Sequence, residues 1–128
     1  MSGERIATGA APRALGPYAQ AVVAGDLVFC AGQVGIDPAT GKLVGGGVSA
    51  ETARAIENLR AVLEAAGLGL RDVVKTTVYV VDLGEFAALN EVYGRYFPAP
   101  HPARSTVQVA ALPAGARVEI EAIARPAR

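Results

Sequence analysis

The chain has 128 residues, 52% of them hydrophobic, with 12 basic and 12 acidic residues. That is enough for one domain, residues 1–128, with its own core, and too apolar for a disordered polypeptide. The charge balance excludes a general attraction to nucleic acid or anionic membrane, and no apolar run nears the roughly 20 residues of a membrane span.

The opening stretch MSGERIATGAAP has no continuous apolar core, so a secretory signal is not expected. Residues 4–8 are a short first strand. Residues 10–17 form a loop punctuated by Pro12, Gly16 and Pro17. Residues 18–23 and 27–34 read as two strands, and Gly25-Asp26 between them makes a hairpin turn. Residues 37–47 hold a proline and four glycines and read as a surface loop without regular structure.

Ser49 is placed to cap a first helix, with Glu51 in its first turn. Ile56, Leu59, Leu63 and Ala66 recur at helical spacing and make its buried stripe; Arg54, Glu57, Arg60 and Glu64 fall on the other side. Gly67 and Gly69 stop it. Residues 73–81 are rich in β-branched side chains and predict a buried strand. Asp82 and Glu85 have the spacing of a capping box for a second helix, whose stripe is Phe86, Leu89, Tyr93 and Tyr96. Pro98, Pro100 and Pro102 then hold the chain extended. Strands follow at 104–110 and 117–124.

The order β-β-β-α-β-α-β-β makes an α+β protein. Two helices cover one face of a six-stranded sheet. The other face carries Val73, Tyr79 and Ile123 among polar residues, which implies association of copies.

Chemistry concentrates in PARSTVQVAALPAGARVEIEAIA, residues 102–124. Arg104 opens a strand, and a guanidinium can hold a carboxylate with two parallel hydrogen bonds. Glu119 and Glu121 alternate with aliphatics, so both carboxylates share one strand face. A glutamate can hold or deprotonate a water. Together these could hydrolyse a small anion without metal or cofactor. Cys30 lies in an apolar strand and reads as an inert core thiol, and a lone cysteine fits a reducing, cytoplasmic setting. His101, the only histidine, has no companions for a metal site. Gly45 to Gly47 are not followed by Lys-Ser/Thr and form no phosphate loop.

The same stretch, with GPYAQAV at 16–22, FCAGQVGIDPATGKLV at 29–44, ENLRAVLEAAG at 57–67 and VVKTTVYVVDLGEFAALNEVY at 73–93, resembles the RidA family (YjgF/YER057c/UK114) of reactive-imine deaminases in order and over nearly the whole chain. The resemblance implies a chorismate-mutase-like α+β fold with the last strand between those preceding the two helices. It also implies a homotrimer with sites in the clefts between subunits. By position in the motifs, Arg104 is the substrate-carboxylate anchor and Glu119 orients the attacking water. Tyr18, Gly32 through its backbone, and Asn90 line the cleft. Ala31 stands where members often have serine, and Thr106 where they often have cysteine; both are pocket-wall positions. Glu121 matches no such role.

The implied reaction is hydrolysis of small 2-imino or enamine acids, such as 2-iminopropanoate and 2-iminobutanoate, to 2-keto acids and ammonia, with no cofactor. Rival readings from the resemblance are a single-strand-selective endoribonuclease that inhibits translation, which the neutral charge disfavours, and a non-catalytic binder or chaperone. In the implied sheet the Arg104 and Glu119 strands are antiparallel, with about five residues of offset, roughly 17 Å along the strands. The expectation is a site built from two subunits.

Overall fold

A computed structural model of the protein describes residues 3–126. The strands are β1 (Arg5–Ile6), β2 (Ala21–Ala24), β3 (Leu27–Val34), β4 (Ile36–Asp37), β5 (Lys42–Leu43), β6 (Val73–Val80), β7 (Ala103–Gln108) and β8 (Val118–Ala124); the helices are α1 (Gly47–Ala65) and α2 (Phe86–Tyr96). Six strands form one mixed sheet in the order β1-β2-β3-β8-β6-β7, with only β6 and β7 parallel. The last strand therefore lies between those preceding the two helices, as expected.

Both helices pack on one face. Ile56, Leu59, Val62 and Leu63 of α1 and Leu89 of α2 are fully buried against Val78, Val118 and Ile120 of the sheet. Each such side chain contributes about 1.5–3 kcal/mol by leaving water. The alternation of β8, with Val118, Ile120, Ala122 and Ala124 inward, is the one its sequence predicts.

Several local expectations are corrected. Residues 37–47 are not wholly irregular: β4 and β5 pair as a small hairpin, Ile36 with Leu43 and Asp37 with Lys42. Ser49 caps nothing. Helix α1 begins two residues earlier behind Gly46, whose φ of 105° is open to glycine but strained for other residues. Glu51 is buried and accepts the Arg117 backbone N–H at 2.8 Å, pinning α1 to the start of β8. Asp82 does accept a backbone N–H, that of Gly84, but it caps a 3-10 turn at Leu83–Glu85 ahead of α2. Glu85 pairs with Arg117 instead of closing a capping box. Val73 lies in the core, not on the bare face, because the β6–β8 register shifts between Val73 and Lys75.

The segment at Tyr18 is not strand. Strand β2 starts at Ala21, because the buried Gln20 side chain is committed to the preceding loop. Its oxygen accepts Thr8 N–H, and its amide donates to the Thr8 and Pro12 carbonyls. Asn58 is fully buried and works the same way: its amide donates to the Val34 and Ile36 carbonyls and its oxygen accepts from Arg54. These two amides hold the loop ahead of β2 and the connection from β3 to β4. Neither stood out in the sequence.

Candidate functional site

Two half-sites flank the sheet. The first is at the outer edge, where β7 meets α2. Arg104 is level with Thr76 of β6, so both side chains project to the helix-covered face. The guanidinium of Arg104 lies 4.7 Å from the Tyr93 ring centre and 5.4 Å from that of Phe86. No carboxylate pairs with it among the described residues. Its charge is thus open to an anion from outside.

Arg104, Thr106, Leu83 and Phe86 line a depression of about 490 Å³ here. Thr106 shares the strand face of Arg104, and its hydroxyl oxygen is out of solvent with no partner among the described residues. Half-buried Asn90 lies one turn beyond Phe86 on the α2 stripe that carries Tyr93. Burial pushes the Tyr93 phenol up, against a smaller opposing effect of Thr76 and Arg104, so the ring stays neutral.

The second half-site is on the bare face. Glu119 is level with Tyr79 and points away from the helices, together with Glu121. A cavity of about 650 Å³ lies over it, walled by Gly32, Val34 and the loops carrying Arg13, Tyr18 and Pro113. Tyr18 is 57% exposed, presenting its ring to this space. Burial raises the pKa of Glu119 above the usual carboxylate range, and the charge of Glu121 adds to that. Glu121 is not idle: it accepts a hydrogen bond from Tyr79 Oη at 3.2 Å.

Opposite these carboxylates, β3 slips register against β8 between Cys30 and Gln33, which leaves Ala31 and Gly32 out of the ladder. The Ala31 N–H is donated to the Gln20 carbonyl at 2.9 Å. Cys30 is buried and its thiol is pushed up to about 12 by desolvation, which leaves no thiolate for catalysis at neutral pH. His101 bonds the Phe97 carbonyl through Nδ1. Among the described residues no group of three or more His, Cys, Asp or Glu could hold a metal ion.

Thus Arg104, Thr106 and Asn90 gather at one half-site, and Glu119, Gly32 and Tyr18 at the other. Thr76 and Tyr79 are three residues apart on β6, so the offset between Arg104 and Glu119 is three residues, not five. That is about 10 Å along the strands and about 10 Å across two strand spacings. An odd offset also puts the two side chains on opposite faces of the sheet. Three features of these half-sites escaped sequence reading: the aromatic bed under Arg104, the Gln20 anchor of the Tyr18 loop, and the Glu121–Tyr79 bond. The i, i+7 spacing of Phe86 and Tyr93 was the available signal for the first.

The fold and its two half-sites define a small α+β protein that presents an unpaired guanidinium and a partly buried carboxylate on opposite sides of one sheet. The sequence pattern of the Endoribonuclease L-PSP family, that of the RidA and YjgF proteins, matches residues 8–126, and the chain belongs to that family. It is 53% identical over 126 residues to Protein DfrA of Myxococcus xanthus, covering 97% of this chain and 96% of that one. It is 49% identical over 119 residues to the human 2-iminobutanoate/2-iminopropanoate deaminase, covering 93% and 87%. Among solved structures it is similar to RidA from an Antarctic Psychrobacter (48% identity, TM-score 0.92, 96% and 99% covered). It is also similar to E. coli TdcF with bound serine (43% identity, TM-score 0.92, 97% and 99% covered). No helix among the described residues is long and apolar enough to cross a membrane.

Proposed function

We propose that the protein hydrolyses small 2-imino and enamine acids, 2-iminopropanoate and 2-iminobutanoate among them, to 2-keto acids and ammonia. The observation that carries this is Arg104: a cation held by aromatic faces, with no acidic partner among the described residues, beside a small depression. The deaminase relatives and the serine-bound TdcF support a small carboxylate as its ligand. The single buried cysteine suits a reducing, cytoplasmic setting.

The working site is a cleft between copies in a homotrimer, Arg104 and Thr106 coming from one subunit and Glu119, Gly32 and Tyr18 from its neighbour. Arg104 holds the substrate carboxylate with two charge-assisted hydrogen bonds. Ionised Glu119 holds a water against the imine carbon and takes its proton as the C–O bond forms. With the imine nitrogen protonated, the C=N π pair goes to nitrogen as water adds. Glu119 then returns its proton to the nitrogen of the carbinolamine, ammonia leaves with the C–N electron pair, and the hydroxyl proton passes back to Glu119 as C=O of the keto acid forms. Holding substrate and water together supplies much of the assistance, because the reacting groups no longer have to find each other.

The test is release of keto acid from freshly generated 2-iminopropanoate, wild type against Arg104→Ala. Hydrolysis above the buffer rate for wild type only is the expected result. Equal rates for the two proteins would remove Arg104 from the reaction. A ribonuclease reading, which the family's description carries, has the balanced charge of 12 basic and 12 acidic residues against it.

A further inference from the structure

Arginine has a long, flexible side chain, and meeting a small anion repeatedly requires that its rotamers be restricted. An acidic partner would restrict them but would compete with the ligand carboxylate. Here the restriction has another source. The Tyr93 ring lies 4.7 Å from the guanidinium and is itself fixed at three points. Its hydroxyl is 2.7 Å from Thr76 Oγ1. Its ring packs at 4.7 Å on Phe97. Its helix, α2, lies on the sheet that carries Thr76. Thr76 is fully buried, Tyr93 is 6% exposed, and Thr76 is the β6 residue level with Arg104. One level of the sheet therefore sets both the strand position of Arg104 and the height of the ring beside it.

We propose that Tyr93 is the positioning residue for Arg104. Anchored by Thr76 and assisted by Phe86, its ring face stands in for an acidic partner and leaves the guanidinium hydrogens to the ligand. This rests on the reading of Arg104 as a carboxylate anchor. A cation over a ring face is held by the ring quadrupole without its charge being cancelled.

The experiment compares wild type, Tyr93→Phe and Tyr93→Leu, each also in an Arg104→Ala background. The first readout is the Arg104 Nε–H resonance in free protein, identified by its loss in Arg104→Ala. Ring-face contact shifts it away from the position of a solvated arginine. The second is binding of 2-oxobutanoate, with KM and kcat for the imine. Tyr93→Phe retains the shifted resonance and near-wild-type binding, because the ring remains, held by Phe97 and the packing of its helix after the Thr76 bond is lost. Tyr93→Leu returns the resonance to the solvated position, weakens 2-oxobutanoate binding roughly threefold to thirtyfold, and raises KM more than it lowers kcat. In the Arg104→Ala background Tyr93→Leu changes binding no further.

A folded Tyr93→Leu protein with an unmoved resonance would overturn the proposal. So would an equal loss of binding in both backgrounds, since Tyr93 would then act through the fold at large. If Tyr93→Leu does not fold, Phe86→Leu removes the other ring; a partial return of the resonance is expected, and no movement refutes the aromatic bed. If wild type neither binds 2-oxobutanoate nor hydrolyses the imine while the resonance still depends on Tyr93, the deaminase reading fails and the positioning role stands.

Discussion

The carboxylate of Glu119 occupies the space that a side chain at Gly32 would fill. A Cβ built on Gly32 falls 2.7 Å from Glu119 Oε2 and 2.8 Å from Cδ, well inside contact distance. The register slip in β3 brings that bare backbone over β8, so glycine here shapes the seat of a charged group on the next strand.

Gly32→Ala therefore displaces the Glu119 side chain. The clashing atoms belong to the end of a flexible side chain, so the fold absorbs the methyl group at the low end of the roughly 1–3 kcal/mol that overpacking costs. Turnover of the imine falls at least tenfold while binding of 2-oxobutanoate at the Arg104 half-site changes little. Thermal melts, calorimetric titration and steady-state rates on one preparation check all three. A Gly32→Ala protein with wild-type kcat would show that the position of Glu119 does not matter.

Glu119→Gln keeps a hydrogen-bonding group but cannot take a proton, so kcat falls more than affinity. The pH dependence follows from the raised pKa of Glu119. A base must be ionised to act, so activity is lost as pH falls through that raised value, and the acid limb lies above an ordinary glutamate's. Glu121→Gln removes a repelling charge and moves the limb to lower pH. The same shift has a stability consequence. Because the folded state holds the Glu119 proton more tightly than the unfolded chain, stability declines as pH rises from the unfolded pKa through the folded one. Glu119→Gln therefore raises Tm at neutral pH and not at pH 3. A limb that Glu121→Gln leaves in place would dissociate the two carboxylates.

Arg104→Ala removes two charge-assisted hydrogen bonds of about 1.5–3 kcal/mol each. At about 1.4 kcal/mol per decade, kcat/KM falls roughly a hundredfold to ten-thousandfold. The melting temperature falls only slightly, since the side chain lies at an edge strand, makes no ion pair among the described residues, and gives up only its contacts to the Phe86 and Tyr93 rings. Residual kcat/KM above a tenth of wild type would remove Arg104 from substrate binding.

What was legible in the sequence was what periodicity and punctuation encode. The alternation in β8 told which face Glu119 takes, and the stripe of α1 told what it buries. What was not legible depended on long-range pairing. Arg104 and Glu119 could be assigned to strands, but their relative level needed the register of β7 on β6 and β6 on β8, which local pattern does not fix. Ser49 lost the cap because the helix starts behind the left-handed Gly46, earlier in the chain and with no side-chain cap. Gln20 and Asn58 looked like ordinary polar residues because their partners are carbonyls up to 24 positions away. Val73 takes the opposite face from the one its alternation implies because a single bulge inverts the pattern behind it.

The placement of the two half-sites leads to the last prediction. The sheet stands between Arg104 and Glu119, with their backbones about 14 Å apart from three residues of stagger and two strand spacings. A three-carbon or four-carbon acid held by Arg104 cannot reach a water held by Glu119 of the same chain. A neighbouring copy that lays its bare face against the β7–α2 edge can bring the groups together, and in a closed ring of three this heterologous contact yields three equivalent clefts. Arg104→Ala and Glu119→Gln proteins, each inactive alone, then complement each other on subunit exchange. A cleft works only when its arginine comes from the Glu119→Gln chain and its glutamate from the Arg104→Ala chain, so random mixing in equal amounts restores about a quarter of all clefts. Mass spectrometry of the mixture verifies exchange, and the coupled imine assay reads the recovered rate. Mixed assemblies that stay inactive after verified exchange would place both residues in one chain's site, against the geometry of the sheet.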